Sequence, residues 1–147
     1  MPDVVHSGIV SRPLDPAAIY AAAQDERCGA VAMFQGVVRG RSDDSPVVAL
    51  DYTVHPSAPD ILREIAEALT LRQGVHHVEA WHRYGRLEVG EIIMVVAVAA
   101  EHRGEAFAAT QALVDEVKAR LPVWKRQEFA DGTHEWSGLR RPAAFRE

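Results

Sequence analysis

The chain alternates short apolar runs with polar breaks, and the spacing inside each run assigns its element. Residues 4–11 (VVHSGIVS) are rich in β-branched side chains and stop at Arg12-Pro13, which predicts a first strand. Asp15-Pro16 has the form of an N-cap with proline at the first helical position, so AAIYAAAQDE predicts a short helix ending before Gly29. Residues 30–39 (AVAMFQGVVR) and, past a polar loop at 40–46, residues 47–55 (VVALDYTVH) read as an antiparallel strand pair. Ser57 with Asp60 resembles a capping box, and Ile61, Leu62, Ile65, Ala68 and Leu69 then recur at helical spacing as far as Gln73-Gly74. Residues 75–84 and 91–100 predict a second hairpin, its turn carrying Gly85 and Gly90 at the two ends. A third helix follows Glu101-His102-Arg103-Gly104, with Ala106, Phe107, Leu113, Val114 and Val117 as its apolar positions. Pro122 ends it, because proline lacks the N–H donor and clashes with the carbonyl four residues back, so residues 123–129 are extended. Trp136 and a polar tail close the chain. The order β-α-β-β-α-β-β-α-β, with neighbouring strands in hairpins, predicts an α+β fold in one domain over residues 1–147.

Composition narrows the function classes. A 48% hydrophobic content over 147 residues suffices for one buried core, and the longest apolar run, residues 92–100, is far too short to span a bilayer. The first ten residues carry acid where a secretory signal carries base, so a cytoplasmic location is expected. Cys28 has no second cysteine to pair with. A net charge of −5 argues against nucleic acid or an anionic membrane as partner. Of the 16 basic residues only Lys118 and Lys125 are lysines, and lysine, unlike arginine, can deprotonate.

Pro122 puts Lys118 in the last turn of the third helix and Lys125 on the strand that leaves it, so the two amines can converge at that corner. Neighbouring positive charge or burial would lower a lysine pKa there and supply a base or nucleophile. The competing reading is that Lys118 complements the helix C-terminus and Lys125 is solvated, and spacing alone favours it. Arg39 sits where a strand enters a glycine-containing turn and is either an anion contact or a solvated loop arginine. His102-Arg103 precedes the third helix, whose first amides can receive an oxyanion, or simply forms an exposed helix start. Met33 and Phe34 alternate on a strand, leaving one to face the core and the other to line a pocket for a flat ring. No metal site is expected: His76 and His77 point to opposite faces of a strand, and no paired histidines occur at helical spacing. Nucleophile-elbow, phosphate-loop and dinucleotide-binding patterns are missing from the sequence.

Taken in order, GAVAMFQGVVRG, WHRYGRLEVGE, EHRGEAFAA and DEVKARLPVWKRQEF resemble the large, catalytic subunits of molybdopterin synthase, the MoaE family. The most specific part is K-x-R-x-P-x-W-K, joined to HR before the same helix and HRxGxLxxGE in the hairpin before it. The resemblance implies an α/β hammerhead-type fold and a homodimer that binds small ubiquitin-like sulfur-carrier subunits to make a heterotetramer. The carrier's C-terminal Gly-Gly thiocarboxylate would donate sulfur to cyclic pyranopterin monophosphate, and two transfers would give the molybdopterin dithiolene, with no cofactor of the enzyme's own. Lys118 and Lys125 match the two catalytic lysines of the family. Arg39, His102, Arg103 and Arg140 match residues of its anion pocket, some contributed across the dimer, and Phe34 matches a pocket-lining residue. Residues 52–59 (YTVHPSAP) depart from the acidic-aromatic stretch and Tyr-Pro-Gly-Met type turn of many relatives. Two other readings compete: a Schiff-base lysine enzyme, and a non-catalytic module that holds a ubiquitin-like tail.

Overall fold

The computed structural model describes residues 1–138, which form β1 (Val4–Val10), α1 (Pro16–Ala22), β2 (Ala30–Val37), β3 (Arg41–Ser42), β4 (Ser45–Val54), α2 (Ala58–Leu69), β5 (Val75–Arg83), β6 (Gly85–Glu88), β7 (Ile92–Ala100), α3 (Arg103–Arg120), β8 (Val123–Phe129) and β9 (His134–Gly138). The strand IIMVVAVAA of β7 has no polar side chain on either face, so it needs a neighbour on each side and cover above and below. Antiparallel β5 and β2 flank it, with Trp81 opposite Val95 and Phe34 opposite Val96. β1 adds to the free side of β5 in parallel, giving the order β1-β5-β7-β2.

Helices α2 and α3 cover one face of this sheet. Leu62, Ile65 and Leu69 of α2 and Ala106, Leu113 and Val117 of α3 pack on Val78, Ala80, Val96 and Val98. Burying a side chain of this size contributes roughly 1.5–3 kcal/mol, so this layer dominates the core. On the other face Leu14, Ile19 and Ala23, from α1 and its flanks, pack on Val95 and Ala97. A second sheet is built on β4, which pairs antiparallel with both β6 and β8, while β9 extends it beyond β8. Val38, Val47, Leu50 and Leu87 form its own small core. Among the described residues no helix is long and apolar enough to cross a membrane.

The α+β class, the three helices and the β5/β7 hairpin follow the sequence reading. Asp15 caps α1 as expected, its Oδ1 accepting from Ala17 N at 3.1 Å and Ala18 N at 3.2 Å. The helix stops at Ala22, earlier than its pattern implied, because Asp25 and Arg27 lock the following turn through a two-toothed ion pair. Five expectations are corrected. β2 and β4 do not pair: a register shift at Gly36/Val37 ends β2, and a tight β3/β4 hairpin with Asp43 in the left-handed region (φ 52°) carries the chain into the other sheet. The Ser57 capping box does not form, since Ser57 already has helical dihedrals and its hydroxyl bonds His55 Nδ1 at 2.8 Å. The turn between β5 and β7 is itself a strand, β6, and the polar tail begins with β9. Phe107 points outward, at 68% exposure, because the buried stripe of α3 runs through Ala106, Ala109 and Thr110.

His76 ties the start of the first sheet together: Nδ1 lies 2.8 Å from Asp3 and Nε2 2.8 Å from Glu101. Both ring nitrogens can donate only in the imidazolium, and the bonds to Asp3 and Glu101 raise its pKa above the ordinary 6.5. A raised folded-state pKa stabilises fully below the unfolded value and loses that contribution as pH climbs through the folded one. Thermal melting of wild type and His76→Gln between about pH 5.5 and about pH 8.5 should therefore show the wild-type advantage at the acid end and its disappearance at the alkaline end. An advantage independent of pH would rule out the ion-pair account.

Candidate active site

Where α3 ends, the chain turns and crosses from one sheet to the other. Leu121 takes an extended conformation (φ −71°, ψ 119°), as the residue before proline must, and is fully buried. The corner is fixed on both sides: Leu121 N donates to Val117 O at 2.9 Å, and the Pro122 carbonyl accepts from His55 N at 3.0 Å. Lys118 thus stays in the last helical turn, while Lys125 lies on β8 opposite Tyr52 of β4 and Ser137 of β9. Both lysines line one cavity of about 820 Å³.

The alternation of β8 brings Val123, Lys125 and Gln127 to this cavity and sends Trp124 into the protein. From the first sheet, Phe34 and Gly36 of β2 supply another wall, with Met94 beside them. Gly36 lies directly beside the Phe34 ring, where a Cβ would stand in contact with it at 3.4 Å. Met33 points the other way and packs on the cluster of Leu14, Ile19, Ala23, Val95 and Ala97. Arg39 follows the end of β2, on a loop held at Val38 N to Glu91 O (3.0 Å), Gly90 N to Val38 O (2.9 Å) and Val47 N to Gly40 O (2.9 Å). Its guanidinium therefore reaches the cavity from an anchored loop.

Charge in this cavity is mostly positive, with Arg39, Arg41, Lys118 and Lys125 lining it beside Asp43. Arg27, Arg63, Arg83, Arg86 and Arg120 are each paired with carboxylates. Arg39, Lys118 and Lys125 form no ion pair among the described residues, although they share one half-enclosed space. The Lys125 pKa is lowered, by burial first and then by Lys118 and Arg39. Glu135 acts on Lys125 in the opposite direction and Asp43 is also on the cavity wall, but the three cations still repel one another, and an anion placed among them lowers that repulsion.

The remaining predicted residues separate. His102 precedes α3, its backbone N–H donating to Glu105 at 3.2 Å, and Arg103 is the first residue of the helix. Arg103 and Lys118 are therefore roughly 22 Å apart along the helix axis, and neither His102 nor Arg103 joins this chain's own cavity. Arg140 lies outside the described residues.

Two lining residues escaped the sequence reading. His82 of β5 is buried, its Nδ1 lies 2.6 Å from the Arg83 carbonyl, and burial pushes its pKa down. A neutral ring donating from Nδ1 leaves Nε2 as an acceptor. Tyr52 packs edge-on against His82, ring centroids 5.2 Å apart, and burial pushes its phenol up to about 12, so it remains a donor at neutral pH. The HR of WHRYG was a usable signal for His82. Tyr52 falls in the divergent 52–59 segment and gave none.

Comparison with known proteins agrees with this geometry. A match to the family described as MoaE protein covers residues 9–120. The molybdopterin synthase catalytic subunit of Nostoc sp. is 38% identical over 133 residues, covering 89% of this chain and 81% of that protein. The structure is similar to molybdopterin synthase from Staphylococcus aureus, with a TM-score of 0.81 at 27% identity over 88% of this chain and 95% of that one. A chain in the complex of subunits 1 and 2 of molybdopterin-converting factor from Helicobacter pylori shares the fold, with a TM-score of 0.71 at 19% identity over 92% of each chain.

With only two lysines, the charge coupling can be read directly. In an NMR titration of isotopically labelled lysine side chains, Lys118→Ala should move the Lys125 pKa upward, and Arg39→Ala should do so more weakly. An unmoved Lys125 would show that burial alone sets its value. The chain, an enzyme subunit with its cations gathered at the end of α3, belongs to the MoaE protein family, that of the molybdopterin synthase catalytic subunits it is similar to.

Proposed function

We propose that this cavity transfers sulfur from the C-terminal thiocarboxylate of a small ubiquitin-like carrier subunit to cyclic pyranopterin monophosphate, forming the molybdopterin dithiolene in two transfers. The observation that carries the reading is the convergence of Lys118, Lys125 and Arg39, none of them ion-paired among the described residues, with Phe34 in one cavity. Both reactants are anionic, so bringing thiocarboxylate and phosphate together costs repulsion that clustered cations offset. Arg39 is suited to the phosphate, since a guanidinium grips it in a two-pronged fork. Phe34 offers a ring face to the flat pterin.

Lys125, with its lowered pKa, is the better candidate for moving protons, and Lys118 for stabilising negative charge that develops on the reacting groups. His102 and Arg103, at the far end of α3, are assigned to the cavity of a second copy in a homodimer, and the carrier subunits complete a heterotetramer. Arg140 keeps its proposed role in anion binding. No metal or organic cofactor takes part in the transfer, and the assembly works in the cytoplasm. A complex of two subunits is what the Helicobacter pylori structure is named for, and the carrier proposed here has the corresponding place.

The test is reconstitution from this chain, thiocarboxylated carrier and cyclic pyranopterin monophosphate. Molybdopterin should form, and Lys118→Ala should lower turnover about 100-fold or more while the carrier still binds. Full turnover by that variant would refute the assigned role. Carrier binding without product from the wild type would indicate a binding module, and borohydride trapping of a carbonyl substrate on lysine would indicate Schiff-base chemistry.

A further inference from the structure

The cavity leaves unused a polar cluster on the opposite face of the first sheet. His77, Glu79 and Trp81 alternate along β5 on the side away from α2 and α3, and the parallel register of β1 sets His6 beside Glu79. Glu79 Oε2 lies 2.6 Å from His6 Nδ1 and 2.6 Å from His77 Nε2, and its Oε1 accepts from Trp81 Nε1 at 3.0 Å. Glu79 and His77 are buried, whereas the His6 side chain is 52% exposed, so of His6, His77 and Glu79 it is His6 that meets solvent.

We propose that His6, His77 and Glu79 form a binding site for one divalent transition-metal ion of the zinc type, with solvent completing its coordination. Two imidazole nitrogens and one carboxylate oxygen are a donor set that zinc takes in sites with an open position. The three ligand atoms already lie within 4.8 Å of one another. Ligands about a tetrahedral ion with bonds near 2.1 Å stand roughly 3.3 Å apart, so the present contacts must open by less than about 1 Å each. Rotation of exposed His6 supplies much of that movement.

The surroundings favour the same reading. Trp81 holds Oε1 and turns Oε2 toward both imidazoles, the kind of outer contact that fixes a ligating carboxylate. The tryptophan reaches it by lying across Gly8, where a Cβ would come within 2.6 Å of the ring. On binding, each coordinating nitrogen gives up its proton to the other nitrogen of its ring or to solvent, leaving a neutral imidazole. The sequence-based expectation was of no metal. That expectation rested on His76 and His77 facing apart, which holds, but the partner of His77 is His6, from a different strand. The ion would join β1, an edge strand, to β5.

The intact chain, stripped with a chelator, is titrated with Co2+ and then Zn2+. One equivalent of Co2+ should give the visible absorption of a tetrahedral or five-coordinate site, and Zn2+ should displace it. Zn2+ at about 100-fold above its Kd should raise Tm by about 5–10 °C, reversed by chelator. His6→Ala, at an exposed position that leaves the fold intact, should lose both signals, and Glu79→Gln should do so wherever circular dichroism shows it folded. Absence of both signals up to about 1 mM metal overturns the site. So does their persistence in His6→Ala, which would place the ion on other histidines. Because neither signal reads turnover, the outcome does not depend on the sulfur-transfer reading.

Discussion

A helix cannot run through Pro122, and most of what this molecule does at its cavity depends on that prohibition. With a different residue there, α3 could continue and carry position 125 away along the helix axis. Instead the chain straightens at buried Leu121, is pinned by the Pro122 carbonyl to His55, and enters the second sheet as β8. One covalent corner thus joins the helical layer of the first sheet to a strand of the second. The cavity lies in the angle between them, and each lysine is held by an element whose position the core has already set.

The electrostatics follow from that placement. Exposed Arg120, at the end of α3, finds a carboxylate within reach in Glu64. Much of the wall around Lys118 and Lys125 is apolar or neutral, including Val117, Leu121, Val123, Phe34, Tyr52 and His82, with Asp43 as an acidic lining residue. Burial pushes His82 toward its neutral form and keeps Tyr52 a phenol, so neither supplies counter-charge. The site is therefore preorganised for an anion at some cost in self-repulsion, which packing of the two sheets offsets.

Local chemistry was legible in the sequence wherever it was self-contained. Asp15-Pro16 announced α1, Gly85 and Gly90 marked bends that require positive φ, and Pro122 announced the corner. Lys118, Lys125, Arg39 and Phe34 were found because ordered motifs surround them. What the sequence concealed was partnership over distance. The apolar character of β2 is equally compatible with pairing to β4 or to β7, and only the demand of β7 for a neighbour on each side decides. Helical periodicity counted Phe107 as core because it is apolar and near the stripe, yet small alanines hold the close helix–sheet contact. His102 and Arg103 stand in the motif order beside the lysines, but a helix of 18 residues separates them in space.

The parallel pairing of β1 with β5 has a consequence for the way the chain assembles. Val4 finds its partner at His77, so β1 has no place to dock until β5 has been made. Helices α1 and α2 can begin to form in that interval, whereas β2 and β4 wait still longer, for β7 and for β6 and β8. β1 is thus synthesised well before the strand it pairs with, its backbone donors and acceptors unmatched in the interval, and it is open to pairing with another chain while synthesis is in progress.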